Sequence, residues 1–472
     1  MKTHTQKLFL LPALVALGLM FAGRMAAQTY TNVHVFQGFP GDGSNPQTTL
    51  IQSGNTMYGT TTVGGSNRSG TVFKVDADGS NYTNFYNFSG VSGPFAPHTN
   101  SDGSQPTAGL ALSGNTLYGI TYVGGARGDG TVFRVNTDGS AFTNLYTFTN
   151  GNDGSFPACT LVLSGNTLYG TATSGGSQGD GVVFAIHTDG TGFTNLYSFT
   201  ADLDGAIPQA GLVLSDNGVL YGTTTSGGNA GSGSVFAIHT NGLGFTNLYD
   251  FTAADFDTGT NLDGANPQAP LLLSGNTLYG TTTAGGPGAN GTVFRISTNG
   301  LNFTNLYSFS ASGGGPNNDG ATPEAGLLLL GTNLYGTASL GGTSSDGTIF
   351  AVDTGGNHFT NLFNFDLAIN GEGAVPEGGL ILVGRSLYGA AYSDAVGNGD
   401  IYALTVTLPA SPQLTLTLSG TNVILTWPTA AGGFTLQSAT NLTPTVAWST
   451  VNGQFAVTNP LSGTQKYYRL KY

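Results

Sequence analysis

Glu324 and Glu377 are the residues of this chain whose type and placement come nearest to a catalytic pair. Glutamate occurs only at positions 324, 372 and 377. Two of these follow a proline in consecutive copies of a repeated segment, Pro323-Glu324 and Pro376-Glu377. One repeat position occupies equivalent places around a ring, so the two carboxylates could face a common channel rim and do general acid–base work. The plainer expectation is a pair of solvated loop residues. The Asp-Gly pairs offer a second chemistry. Asp102, Asp204, Asp263 and Asp319 each have an Asn or Asp two residues earlier, at Asn100, Asp202, Asn261 and Asn317. Oxygen ligands at that spacing before a glycine can open a calcium loop. The distal bidentate glutamate of such a loop is missing, so an Asx-stabilised turn is expected instead.

Other reactive groups are scarce. His187 and His239 share one turn-adjacent position, where other copies place Asp76, Asn136 or Ser297, and they read as turn chemistry. No histidine pair has metal-ligand spacing, and neither a nucleophile elbow nor an HExxH motif occurs. Cys159, the one cysteine, stands where neighbouring copies keep Ala108, Ala210 and Ala269. It reads as a small core residue, and a single cysteine allows no intramolecular disulfide. No catalytic, cofactor-binding or metal-binding residue is assigned on this reading, and no cofactor is expected. The net charge of −13 argues against a nucleic-acid partner, which needs a basic face. About half of the acids are Asp in Asp-Gly pairs, which reads as turn chemistry.

The elements that position these residues come from a tandem repeat. Tyr-Gly recurs at Tyr58, Tyr118, Tyr169, Tyr221, Tyr279, Tyr335 and Tyr388. One unit, Asp204 to Phe251, divides into four apolar stretches: Ala210 to Leu214, Val219 to Thr225, Ser234 to His239 and Phe245 to Phe251. Gly, Asn and Asp separate them, as hairpins require. Four short antiparallel strands per unit are the signature of a propeller blade. The ends of the chain favour a closed ring over a solenoid. Tyr30-Thr31-Asn32-Val33-His34-Val35-Phe36 aligns with the fourth strand of the unit, and the last repeat ends after its third strand, Asp400 to Ala403. The N-terminal strand is therefore expected to complete the last blade, which removes two exposed sheet edges. The fold class is all-β, a seven-bladed propeller of four-stranded blades.

Details follow for each strand. The first, such as Leu327 to Leu330, is expected to be innermost and buried on both faces. The glycine after each Tyr marks a close approach, expected to come from Tyr and Phe rings of adjacent blades. The fourth, with Phe193, Tyr197 and Phe199, should pack on the neighbouring blade. The fourth-to-first and second-to-third loops should share one face of the disc. The long loops at Gly90 to Asn100, Ala253 to Leu262 and Ala311 to Asn318 lie there, which makes it the candidate interaction surface.

The motif LYGTT-x-x-GG, then GTVF and FTNLYSF, as in Leu278 to Phe309, resembles the GloVer tandem repeat of the "choice-of-anchor" proteins. The resemblance covers about residues 28 to 407. It departs in the last copy, where the double glycine reads as replaced by Ala391-Tyr392-Ser393. It implies export and a cell-surface or extracellular site, with no catalytic activity to carry over. Residues 413 to 472 take the anchor position, so a sorting or attachment role is implied for them.

The flanking segments fit export. Lys2 and Lys7 precede an apolar run from Leu8 to Ala22, and Ala26-Ala27 follow, the pattern of a signal peptide over residues 1–27. The run is shorter than the roughly 20 residues that span a bilayer, so the exported chain is not expected to be an integral membrane protein. Residues 28–407 form the propeller and 408–412 a proline-stiffened linker. Residues 413–472 are expected to form a small immunoglobulin- or fibronectin III-like β-sandwich. Trp427 and Trp448 are read as core residues there. The functional expectation is a non-catalytic, secreted or cell-surface binding scaffold, monomeric, whose partner is a glycan or a surface protein. An extracellular polysaccharide-active enzyme and a purely structural surface protein are the alternatives. Cleavage after Ala27 predicts a mature chain that begins at Gln28, checked by N-terminal sequencing of the exported protein. A chain that keeps residues 1–27 would show that segment to be an anchor instead.

Overall fold

The computed structural model describes residues 28–406 apart from 93–97, 312–316 and 370–371, and six strand segments between 415 and 471. The expected signal peptide, the linker, Trp427 and Trp448 lie outside the described residues. Residues 28–406 form seven four-stranded antiparallel sheets arranged as propeller blades. Their first strands are Ile51–Ser53, Ala111–Ser113, Val162–Ser164, Val213–Leu214, Leu272–Ser274, Leu328–Leu330 and Ile381–Val383, which number blades 1 to 7. In blade 5 the order from the axis outward is Leu272–Ser274, Thr277–Thr282, Thr292–Ser297 and Thr304–Ser308. Blade 7 takes its fourth strand from the other end of the chain. Tyr30–Val35 pairs antiparallel with Asp400–Thr405, with Tyr30 opposite Leu404 and Val35 opposite Asp400. The ring closes as the sequence requires.

Each fourth strand bulges at the same place. In blade 2 the register slips between Val132 and Phe133, leaving Leu145 unpaired between Asn144 and Tyr146, and blade 7 slips between Asn32 and His34. A bulge turns the side chains beyond it to the opposite face. Thus Phe142, before the bulge, stacks on Tyr86 of blade 1, while Tyr146, after it, stacks on Phe193 of blade 3. One strand thereby serves both neighbouring blades.

The core is not central. Seven separate apolar clusters lie between adjacent blades. The one between blades 3 and 4 joins Val183 and Phe199 to Leu212, Leu220 and Phe236. Cys159 is buried in the cluster between blades 2 and 3.

Three strand-level expectations change. The first strands pair over only two or three residues and are largely half-buried; Leu328 and Leu329 are intermediate while Leu327 and Leu330 are buried. The segment before them runs along the channel without a ladder partner, so its backbone is spent on the axis. The strand-two glycine is covered from within its own blade. Gly280 pairs with Phe294, and a Cβ on it would lie 2.5 Å from the tip of that ring and 2.8 Å from Leu271. The rings of adjacent blades do not supply this contact, because the third-strand Phe folds back over its own register partner. The double-glycine position of the last repeat holds Asp394-Ala395, one step beyond Ala391-Tyr392-Ser393. The pairing of Ala374 with Ser393, equivalent to Ala206 with Ser226 in blade 4, sets this alignment.

Beyond residue 406, Thr415–Ser419, Asn422–Thr426 and Ala456–Pro460 form one three-stranded antiparallel sheet. Ser449–Thr450, Thr435–Ala439 and Tyr467–Lys471 form a second.

A Gly280→Ala substitution should force Phe294 from its position. The expected loss is about 1–3 kcal/mol, the usual cost of overpacking a filled core, read as a lowered urea midpoint. An unchanged midpoint would show that the ring can move freely.

Candidate functional site

The pieces that build a blade interface repeat; the pieces that line the axis do not. At the interface of blades 4 and 5, Tyr249 stacks on Phe303 with ring centroids 4.0 Å apart and 3° between planes. Its hydroxyl donates to Asp263 Oδ2 at 2.8 Å. Asp263 also accepts from Thr252 N at 3.0 Å and is 5% exposed. Tyr86–Asp102, Tyr146–Asp153, Tyr197–Asp204 and Tyr307–Asp319 repeat this bond. Burial, followed by the adjacent carboxylate, pushes the pKa of each of these phenols up. The Asp of the Asp-Gly pair is thus a structural acceptor.

The asparagines before it are also occupied. Asn100 Oδ1 accepts from Gly103 N at 2.9 Å and Gly125 N at 2.8 Å, and Asn261 does the same with Gly264 and Gly286. Asn317 holds Gly342 N at 3.2 Å. Asp202 is exposed. These bonds make the loops hydrogen-bonded turns that tie the fourth-to-first loop to the second-to-third loop on one face. Among the described residues no group of three or more His, Cys, Asp or Glu is placed to hold a metal. His187 contacts Thr191 in its own turn, Nδ1 to Oγ1 at 3.3 Å.

Glu324 and Glu377, in contrast, come together. Both line a cavity of about 120 Å³ on the propeller axis. The residue after the blade proline supplies one side chain per blade to this channel: Gln47, Thr107, Ala158, Gln209, Gln268, Glu324 and Glu377. Gln47 Nε2 donates to Glu377 Oε2 at 2.7 Å, and Thr62 Oγ1 donates to Gln47 Oε1 at 2.9 Å. The threonine therefore fixes which end of the amide meets the carboxylate. Burial and then the charge of Glu324 push Glu377 up to about 7. Burial also raises Glu324. Thr107 Oγ1 is buried without a partner.

Two residues earlier stands a second ring that sequence reading did not find. Asn45, Gln105, Phe156, Ile207, Asn266, Thr322 and Val375 all have φ between 54° and 57°, each directly before a proline. Left-handed backbone is costly for β-branched residues, and the following proline disfavours helical values further. Paired backbone bonds hold it there. Ile207 N donates to Asp180 O of blade 3, and Ile207 O accepts from Thr225 N of blade 4. The other six positions do likewise. Because the backbone alone makes the clamp, the side chain is free to vary. No residue type marks this position in sequence; only the proline after it does.

The interfaces beside the closing strand break the pattern. Between blades 6 and 7, Phe363 replaces the tyrosine and Glu372 the aspartate, while Tyr30 replaces the phenylalanine and donates to Asp400 Oδ2 at 3.2 Å. Asp400 Oδ1, Tyr402 OH and Glu372 Oε2 are buried without partners among the described residues. Burial, then the charges of Asp394 and Glu372, outweigh the Tyr30 bond and push Asp400 up to about 8. Between blades 7 and 1, His34 stacks on Tyr82 at 3.4 Å. Both side chains bond to Asp42, His34 Nε2 at 3.1 Å. Burial alone would raise Asp42, but these bonds hold it below its usual range.

Fold and channel define a seven-bladed β-propeller with a polar axial channel. The chain belongs to the Gloeobacter/Verrucomicrobia repeat family, whose profile matches residues 94–262 and 254–444. The match reaches past the propeller, further than the sequence resemblance suggested, and starts later. No curated protein matches the chain in sequence. An oligogalacturonate lyase solved with manganese is similar in structure over 82% of this chain and 95% of its own, at 10% identity and a TM-score of 0.50. An oligogalacturonate lyase from Vibrio parahaemolyticus is similar over 80% and 93%, at 9% identity and a TM-score of 0.47. At these identities the likeness is one of fold alone.

The buried Asp400 yields a pH prediction. Its folded pKa lies above the ordinary carboxylate value, so the native state holds the proton more tightly than the unfolded chain. The stability this confers is full below pH 4 and is lost as pH rises towards about 8. Asp400→Thr restores the residue of most other blades and should raise Tm by several degrees at pH 8 and far less at pH 4. An equal change at both would show that Asp400 is not held protonated.

Proposed function

We propose that this protein is an exported binding propeller that recognises its ligand at the channel mouth on the face bearing the Asp-Gly loops. The observation that carries this reading is the divergence of seven equivalent positions. Residues that build the blades are nearly identical from copy to copy, whereas the axial ring runs Gln, Thr, Ala, Gln, Gln, Glu, Glu. A ring that served packing alone would have no reason to differ. Asymmetry in a near-symmetric frame is what recognition of an asymmetric ligand needs, and rigid scaffolds commonly bind through loops at one face. The ligand is an extracellular glycan or a surface protein. The mature chain begins after residue 27, acts as a monomer, and carries at its C-terminus a small β-sandwich made of the two three-stranded sheets, which serves attachment or sorting.

One observation favours a second reading, an enzyme acting on extracellular polysaccharide. Glu377, raised to about 7 beside Glu324, matches the proton affinity of a general acid near neutral pH.

A glycan array probed with residues 28–472, joined to turnover assays on the same polysaccharides, separates these readings. Binding without turnover supports the first and turnover the second; neither would leave a structural surface protein. Ala158→Phe, which fills the channel from blade 3, should weaken binding at least tenfold while the melting curve is kept. Undiminished binding would move the site away from the axis.

A further inference from the structure

The axial cavity has a one-sided chemistry. Arg68, Lys74, Arg127, Arg134, Arg295 and Arg385 are the only cations between residues 28 and 406, and none of them, nor any histidine, lines the channel. Two carboxylates from adjacent blades therefore share a small, partly desolvated space with no positive group among the described residues to balance them. Their neighbours do not neutralise them. Gln47 meets one oxygen of Glu377 and is itself held by Thr62. The Ser339 hydroxyl donates to the Thr322 carbonyl at 3.0 Å and not to a carboxylate. The Thr107 hydroxyl, in the same lining, has no partner among the described residues. Two like charges in a low-dielectric site retain either a proton or an external cation.

The rest of the mouth narrows the choice. A cavity of about 120 Å³ has room for the tip of a ligand, so the body of the ligand lies across the opening. Gln209 and Gln268 offer amides at the rim, each already aligned by a threonine, Thr225 and Thr283. One step outward, Tyr122 and Phe156 form an aromatic pair with centroids 5.3 Å apart and planes tilted by 36°. Oriented amides beside a half-buried aromatic surface suit the hydroxyls and the apolar face of a sugar ring. An ammonium group brings three N–H donors, which two carboxylates can accept through charge-assisted bonds. An N-acetyl group brings one donor and no charge, and a uronate or sulfate would be repelled.

We infer that the channel mouth takes an unacetylated amino sugar, its ammonium group seated between Glu324 and Glu377 and its ring against the Gln209, Gln268, Tyr122 and Phe156 side of the opening. This rests on the channel being the ligand site, and it names the ligand class. Charge pairing fixes the ammonium; the amides and aromatic pair select a sugar over a lysine side chain.

The test is calorimetric titration of the mature full chain at pH 7 with four probes: a glucosamine tetramer, its fully N-acetylated counterpart, a tetragalacturonate and a lysine-containing tetrapeptide. The glucosamine tetramer should bind at least tenfold more tightly than each of the other three. A Glu324→Gln/Glu377→Gln variant should lose at least tenfold in that affinity while melting at or above the parent temperature, since the substitution removes repulsion. Equal affinity for the amine and acetylated tetramers, both weakened by Ala158→Phe, would overturn the amine assignment and leave the channel as the site. Glucosamine binding that both variants leave unchanged would overturn the channel reading itself. Equal binding of the lysine peptide would overturn the sugar assignment, and no binding of the glucosamine tetramer would overturn the inference outright.

Discussion

A tyrosine near the end of one blade's outer strand lies flat on a phenylalanine of the next blade and donates its hydroxyl to a buried aspartate. The rest of the structure depends on that contact. No blade can hide its apolar faces alone, because a four-stranded sheet has two of them and the core is divided among seven interfaces. The stack contributes about 0.5–1.5 kcal/mol beyond its buried area, and the bond to a charged acceptor about 1.5–3 kcal/mol. The same contact explains three features of the repeat together. The strand needs a bulge so that it can face both ways, the Asp-Gly loop needs its carboxylate turned inward, and the motif needs Phe and Tyr four residues apart. The turn glycines follow as well, since Gly300 meets the backbone carbonyl of Leu248 in the preceding blade.

The closing strand shows what happens when this contact must be distinctive. Tyr30 and His34 sit on opposite sides of one bulge and meet partners that occur at no other interface. On one side the tyrosine and the phenylalanine have exchanged places, Tyr30 stacking on Phe363, and the acceptor has moved to Asp400 on the third strand. On the other side His34 substitutes for tyrosine and Tyr82 for phenylalanine, and Asp42 accepts from both. These exchanges keep an aromatic stack and a carboxylate bond at each interface while changing which residues make them. Their cost is visible between blades 6 and 7, where three buried polar atoms lack partners.

A scaffold held so firmly at its interfaces can leave its axis to vary. The left-handed residue before each proline joins adjacent blades through its own N–H and C=O, so six different residue types are accepted at the seven positions. The residue after each proline points to the channel and bears no packing duty. This division places the two acids on one arc of the ring, with Gln209, Gln268 and an aromatic pair along the rest.

Much of this was legible in the residues. Seven Tyr-Gly pairs, the split unit at the two ends and the turn glycines specify blade number, strand order and ring closure, because those depend on local pattern and on counting. Turn chemistry was right for the Asp-Gly loops and for His187, and the exchange of Cys159 for alanine pointed to the core. What covers the strand-two glycine was not legible, since a ring from the same blade and one from its neighbour leave the same trace in sequence. The common rim of Glu324 and Glu377 was legible from their shared repeat position, but the bond from Gln47 to Glu377 was not. Gln47 lies 330 positions from Glu377, and only the closure of the ring sets blade 1 beside blade 7. The raised pKa of Asp400 has the same origin. A carboxylate at a strand position that usually holds threonine reads as a surface change until the closing strand is laid over it. Sequence by itself determined the repeated parts of this protein, whose contacts are short in register and sevenfold redundant. Tertiary structure decided the singular parts, because they exist only where residues from the two ends of the chain are brought to one axis and one seam.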